Sequence, residues 1–296
     1  DEQYIYFDGS FGNIKLGGHN SVIYQMGWVA SGYAYNGGVP IISGWTATLA
    51  GDGSFYGNFD NPYDFRKVSA STFLDVHDDA NTISYQTPRF AGFKFGASYT
   101  PRSEGVGAAD QLSATNQDTD DHNGVSLAAN FSREFQGVSI NAAGGWARED
   151  VANNDAASST APVTDDTINM YNGHLTVGAA GFSLGGGVAV MDSDGTGSTG
   201  ANTGKANDDG HSWAVGAGYG TGPWQLGVTW FQAEIEGDPN DPGEDENRFG
   251  KIGLDYTLGP GITLSAAVLR ATFDGGDAND VEATRTVGVL GTSVTF

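Results

Sequence analysis

The order of its connections constrains this chain more than any other feature. From about residue 81 to the end, segments of roughly ten residues alternate apolar with small or polar side chains. They are joined alternately by a very short Gly-containing link and by a longer stretch rich in Asp, Asn, Ser and Gly. Ile83–Thr87 turns through Arg89–Gly92 into Phe93–Thr100, and Val125–Phe135 turns at Gln136-Gly137 into Val138–Ala147. Thr167–Ala180 turns at Gly181 into Phe182–Met191, and Ser212–Tyr219 turns at Gly222-Pro223 into Trp224–Ala233. Phe249–Leu258 turns at Gly259–Gly261 into Ile262–Phe273, and Glu282–Phe296 runs to the end. Strand side chains alternate between faces with period 2, so each segment reads as a strand with one apolar and one polar side. Short turns at one end and long polar loops at the other are what an up-and-down transmembrane barrel requires. A soluble β-sandwich would mix connection lengths and include Greek-key crossings.

The composition of the two faces agrees. Trp224, Leu226, Val228 and Trp230 share one parity, with Gln225, Gly227 and Thr229 opposite. Ile252, Leu254, Tyr256 and Leu258 are set outward against Lys251, Gly253, Asp255 and Thr257. The polar parity is mostly Gly, Ser, Ala and Thr rather than Lys and Glu. Small inward residues leave room for a lumen, which accounts for 46 glycines better than turns alone do. Phe93, Phe135, Phe182, Tyr219, Trp224 and Tyr256 lie toward the short turns, and Trp146, Trp213 and Trp230 toward the long loops. Two aromatic belts at headgroup level are expected of a barrel. The final strand is less regular. Phe296, Val294 and Leu290 share a face, whereas Val289 and Val287 fall on the other; a β-bulge near Val289-Leu290 would unite them, and without one the upstream half is simply poorly patterned.

Several classes are excluded or disfavoured. No cysteine is present, so disulfides, zinc ribbons and thiol catalysis are ruled out. The 36 acidic against 13 basic residues, formally −23, disfavour nucleic-acid binding. No apolar stretch approaches the ~20 residues of a membrane helix, which says nothing against a barrel. The chain opens at Asp1 without a signal peptide, as a processed or truncated chain would. His19, His77, His122, His174 and His211 are scattered without metal-ligand spacing, and no GxSxG, HExxH or P-loop occurs, so an enzyme is not expected. His174 has lumen parity, so a Ser–His pair as in a barrel lipase is conceivable, but no motif supports it.

The first 80 residues differ. Gln3–Asp8 and Asn13–Leu16 form two strands about a Gly9–Gly12 turn. A run from about 18 to 80 follows without long alternation, and a loop of that length is usually functional. It carries Trp45, Phe55, Tyr56, Phe59, Tyr63 and Phe65, enough apolar area to pack, together with many acids. We read it as folded into the barrel mouth against the inner wall, with a surface subdomain as the alternative.

Phe7-Asp8-Gly9-Ser10-Phe11-Gly12-Asn13-Ile14-Lys15-Leu16-Gly17 resembles the strand–turn–strand that precedes the constriction loop of general, non-specific outer-membrane porins. The stretch Ile83-Ser84-Tyr85-Gln86-Thr87-Pro88-Arg89-Phe90-Ala91-Gly92-Phe93-Lys94-Phe95-Gly96-Ala97-Ser98-Tyr99 looks like the strand pair that follows it, and Phe296 matches the C-terminal assembly aromatic. The resemblance covers essentially the whole chain and is greatest to porins of alphaproteobacteria. It implies an all-β, 16-stranded antiparallel barrel in the bacterial outer membrane, amid lipid and lipopolysaccharide. It further implies a homotrimer, a third extracellular loop narrowing the pore, and diffusion of ions and small hydrophilic solutes. About thirteen strands are readable here, so three N-terminal strands are expected to be missing from a single domain spanning 1–296.

Inward parity places Lys15, Lys94 and Lys251 on the lumen wall, and Arg285 as well if the last strand is unbroken. The loop supplies Asp52, Asp60, Asp64, Asp75, Asp78 and Asp79 to face them. Acids opposite bases in a narrow aqueous pore make a transverse field, and the net charge favours weak cation selectivity. Arg270 falls on the lipid parity and belongs near the outer rim. The acidic outer loops 192–209, 238–247 and 274–282 could hold structural Ca²⁺, but Asp238-Pro239-Asn240-Asp241-Pro242-Gly243 lacks the later ligands of an EF-hand. No other cofactor is expected. Two alternatives stay open: a substrate-specific channel for a sugar or other small solute, and a β-rich surface adhesin. A run of inward aromatics would argue for the substrate-specific channel, and none is evident in the pattern.

Overall fold

The computed structural model describes residues 2–27, 72, 74, 80–102, 122–151, 166–193, 209–236, 244–274 and 283–294. Thirteen strands run β1 (Gln3–Gly9), β2 (Gly12–Gly18), β3 (Asn81–Gln86), β4 (Phe93–Arg102), β5 (His122–Phe135), β6 (Val138–Val151) and β7 (Asp166–Ala179). They continue as β8 (Phe182–Ser193), β9 (Gly210–Thr221), β10 (Trp224–Glu236), β11 (Glu244–Gly259), β12 (Ile262–Asp274) and β13 (Ala283–Val294). All belong to one sheet in sequence order, and every neighbouring pair is antiparallel. The short links close one end of the wall and the long segments leave from the other. Ala180-Gly181 is typical of the short links: both residues take positive φ, 51° and 84°. Backbone bonds tie adjacent short turns together, Gly220 N to Gly181 O and Thr257 N to Pro223 O, both at 2.8 Å.

The sheet is curled. Among the described residues one helix, α1 (Val22–Gly27), follows β2 and buries Val22, Ile23 and Met26. Val22 and Met26 pack on Ala128 of β5, and Ile23 packs with Ala147, Ile168, Met170, Ala189 and Met191 of β6–β8. Tyr24 packs against Ala214, Phe231, Phe249, Leu269 and Ala271 of β9–β12. A six-residue helix can touch strands from both halves of a thirteen-stranded sheet only if the sheet wraps around it. The helix therefore marks the concave side. The side chains of the opposite parity lie on the convex side and are exposed and apolar, as with Val188 at 55%, Val228 at 52% and Ile252 at 53%. A continuous outward apolar band of this kind is a lipid-facing surface. Among the described residues no helix is long and apolar enough to cross a membrane, so the crossing is made by strands.

One expectation is revised and one open choice is decided. Several strands extend further at the long-loop end than the alternation indicates: β6 runs through Arg148, Glu149 and Asp150, and β11 starts at Glu244 rather than Phe249. The last strand has no bulge; its register with β12 is unbroken from Ile262↔Val294 to Phe273↔Ala283. Val289 consequently turns inward, against the apolar cluster of β9–β12. Among the described residues no pairing joins β1 to β13.

Candidate functional site

The interior wall has two characters. Along β2–β5 it is hydroxylic and basic. Thr82 and Thr100 share a 2.7 Å hydrogen bond, and Ser98 and Ser126 one of 2.6 Å. Ser98 Oγ also accepts from Val22 N at 3.3 Å, which fixes the first residue of α1 to the wall. His19, fully buried where the chain leaves β2, is held between Gly17 O and Ser84 Oγ, each at 2.8 Å. Along β6–β12 the upper wall is apolar, and there Leu74 of the long segment joins the Ile23 cluster. His174 reaches the same segment, Nε2 donating to Thr72 O at 3.0 Å, so its lumen parity serves to tie the chain to the wall. Two glycines let α1 approach: a Cβ on Gly145 would meet Ile23 Cγ1 at 2.6 Å, and one on Gly96 would meet Met26 Sδ at 2.6 Å.

The structure gathers some of the expected bases and separates others. Lys15 of β2 donates to Gln25 Oε1 of α1 at 3.0 Å and lies 4.7 Å from the centroid of the Tyr4 ring. Gln86 of β3 donates to the same Oε1 at 3.0 Å. Lys94 of β4 pairs across the sheet with Asn130, and Lys15, Arg89 and Asp8 lie within its electrostatic reach. Arg89 is a base the parity argument missed, because it sits in the β3–β4 turn, where no strand parity applies. Its guanidinium folds onto the inner wall, donating to Gly92 O at 2.6 Å and to Asn130 Oδ1 at 2.8 Å. Asn130 in turn donates to Met26 O at 3.3 Å, closing the group against α1. The lysines are thus clustered rather than isolated. Lys251 stands elsewhere on the wall, on β11 between Thr229 and Leu269, with Asp255 on its face. Arg285 pairs in register with Ala271, an inward position, as the unbroken strand requires.

Asp52, Asp60, Asp64, Asp75, Asp78 and Asp79 lie outside the described residues, as do the aromatics of the long segment from Trp45 to Phe65. The same holds for nearly all of the acidic outer loops read as Ca²⁺ candidates. Individual aromatics do face inward, although the pattern offered no run of them. Phe231 and Phe249 face inward as cross-strand partners and are buried under the apolar cluster that receives Tyr24. Tyr4 and Tyr6 also face inward, because Tyr6 pairs with Lys15.

Comparison with known proteins agrees with this geometry. The family model described as Gram-negative porin matches residues 1–276. The chain belongs to the Gram-negative porin family. Among solved structures it is similar to the outer-membrane expressed OmpT of Vibrio cholerae, at 13% identity and TM-score 0.58, covering 99% of this chain and 79% of that one. An in-vitro folded trimer form of the Vibrio cholerae protein matches at 14% identity and TM-score 0.53, covering 99% and 78%. The anion-selective porin of Comamonas acidovorans matches at 13% identity and TM-score 0.52, covering 98% and 75%. No curated protein sequence matches. Identities this low carry the fold, and the family membership carries the rest: this porin is an outer-membrane channel protein of a Gram-negative bacterium.

The porin's outer surface completes the site. Aromatic pairs mark the short-turn end: Phe93–Phe131, Phe182–Tyr219 and Trp224–Tyr256, with ring centroids 4.8, 4.4 and 4.4 Å apart. At the long-loop end Trp213 and Trp230 face outward, and above them lies a polar ladder. There His211 faces Glu234 at 3.6 Å, Gln232 donates to Glu234 and Glu246 at 3.1 and 2.6 Å, and Arg248 pairs with Glu246. Arg270 faces outward, as its parity indicates.

Proposed function

We propose that this porin is a weakly cation-selective diffusion channel for ions and small hydrophilic solutes, narrowed by the 18–80 segment and assembled as a homotrimer. The observation that carries the reading is α1 inside the curl of the sheet, held by the Gly96 and Gly145 notches and by Ser98, His19 and Asn130. Leu74 and Thr72, further along the same segment, lie against the inner wall of β6–β8. Below the helix the inward residues are polar: Gln225, Thr229, Lys251, Asp255 and Ser265. The net charge of −23 supports preference for cations, with loop acids facing the wall bases. Small outward residues on neighbouring strands, Ala142, Gly144, Gly173 and Gly186, suit contact with another barrel, and Gly144 and Gly173 are direct register partners. The outer-rim ladder of β9–β11, with Glu234 and Glu246 against Arg248, would meet the phosphorylated headgroups of lipopolysaccharide through bridging divalent cations. No catalytic step or cofactor is assigned. A substrate-specific channel is the second reading, and the inward Tyr4 and Tyr6 beside Lys15 favour it.

Refolded protein in a planar bilayer tests the proposal. Large, nearly ohmic conductance in steps of three is the expected result. Absence of conductance from protein that shows heat-modifiable migration would refute the channel, and single unit steps would refute the trimer.

A further inference from the structure

We propose that the wall beneath α1 forms a subsite for a carboxylate carried on a flat ring, built from Lys15, Arg89, Lys94 and the rings of Tyr4 and Tyr6. The proposal rests on the channel reading above and names a solute class for it.

The first observation is charge. Among the described residues Lys15, Arg89 and Lys94 come together with one acid in reach, Asp8. That group is net positive in a protein of net charge −23. The second is how the cations are held. Lys15 is aimed by the Gln25 amide oxygen and the Tyr4 ring, and Arg89 by Gly92 O and Asn130 Oδ1. These anchors are neutral. They fix direction without cancelling charge, so a solute passing between the loop acids and this wall meets aimed cations. Lys94 makes no hydrogen bond or ion pair with another described residue, and its cross-strand partner is Asn130 rather than an acid. Guanidinium and ammonium groups preset in this way suit a carboxylate, whose bonds to them are charge-assisted. The third observation is the pair of rings. Tyr6 is the direct cross-strand partner of Lys15 and shares its inner face. Tyr4 lies beside it, ring centroids 6.4 Å apart, and is braced edge-on by His19 at 5.6 Å. Phenol faces next to aimed cations offer two-point recognition, the ring of the solute on Tyr6 and its carboxylate toward the bases. Acetate would satisfy one point, an uncharged ring the other, and only a solute carrying both would dwell.

Its cations Arg89 and Lys94 lie toward the short-turn end, since Arg89 belongs to the β3–β4 turn, and Tyr4 lies toward His19 at the other end. Access should be asymmetric.

The test is single-channel recording with benzoate, acetate and benzamide as probes. Benzoate should produce resolvable transient blocks, more strongly from the short-turn side, at concentrations where acetate and benzamide produce none. K94Q and R89Q should each raise the blocking constant about tenfold, the scale of one charge-assisted hydrogen bond. Y6L should bring benzoate down to the level of acetate, whereas K94R should retain the block. Heat-modifiable migration checks that each variant is folded, and the comparison of three probes on the wild-type protein stands even if a variant fails to fold. A conducting wild-type channel in which benzoate blocks no better than acetate would overturn the subsite and leave the channel standing. So would K94Q and R89Q channels blocked like wild type. No conductance at all would overturn the channel reading and the subsite with it.

Discussion

Gly145→Ala should move α1 without unfolding the barrel. The added methyl would stand 2.6 Å from Ile23 Cγ1 and 3.0 Å from Leu127 O. Carbon atoms rest at about 3.5–4.0 Å, so the helix must retreat by roughly 1 Å toward the opposite wall. Ile23 is β-branched and cannot easily swing aside, and the Leu127 carbonyl belongs to the sheet. Overpacking of this kind costs about 1–3 kcal/mol. Val22, Ile23 and Met26, at most 1% exposed, hold the helix to the wall. At about 1.5–3 kcal/mol each, their burial outweighs the strain, so α1 shifts rather than leaves. The expected result is a lower single-channel conductance with normal heat-modifiable migration. Gly96→Ala is the internal comparison. Its methyl would meet Met26 Sδ, the yielding end of a flexible chain, and the change in conductance should be smaller. Wild-type conductance in folded Gly145→Ala protein would refute the placement of α1 against Gly145 in the conducting path.

Other substitutions test the wall itself. Val228→Arg places a charge in the middle of the lipid-facing band and should destabilise the barrel by about 2–4 kcal/mol in denaturant titrations from vesicles; no change would put Val228 outside the bilayer. Gly181→Ala should slow folding and lower stability, because the turn holds φ +84° and the new Cβ would stand 2.5 Å from Gly220 O; refolding rates followed by gel shift would show it. His19→Ala removes the hydrogen bond to Ser84 and should free the base of the long segment, making protease cleavage near residue 20 faster in the folded protein than in wild type. Equal cleavage rates would argue that Ser98 and Asn130 alone hold α1.

Much of the wall was legible because a strand facing lipid on one side must alternate. Trp224, Leu226, Val228 and Trp230 lie outward, as do Ile252, Leu254 and Leu258. The pattern failed where that physical cause is missing. Beyond the apolar band the strands continue through Arg148, Glu149 and Asp150, or through Glu244 and Glu246, held by backbone pairing that leaves no apolar signature. It also failed where the inner wall is itself apolar. Phe231, Phe249 and Val289 face the concavity because other residues cover them, so reading every apolar residue as outward suggested a bulge in β13 that the register does not contain. The bases were half legible. Parity located Lys15 and Lys94, but only the folded turn shows Arg89 against Asn130.

Reversal potential in a salt gradient tests the central claim most directly. The wild-type channel should favour cations, and the preference should weaken as the screening length falls from ~10 Å at 0.1 M to ~3 Å at 1 M salt. Neutralising Asp52, Asp60, Asp64 and Asp75 together should move the potential toward zero, and neutralising Lys15, Lys94 and Lys251 should move it the other way. An anion-selective wild-type channel, or a reversal potential that neither set of substitutions moves, would contradict the account.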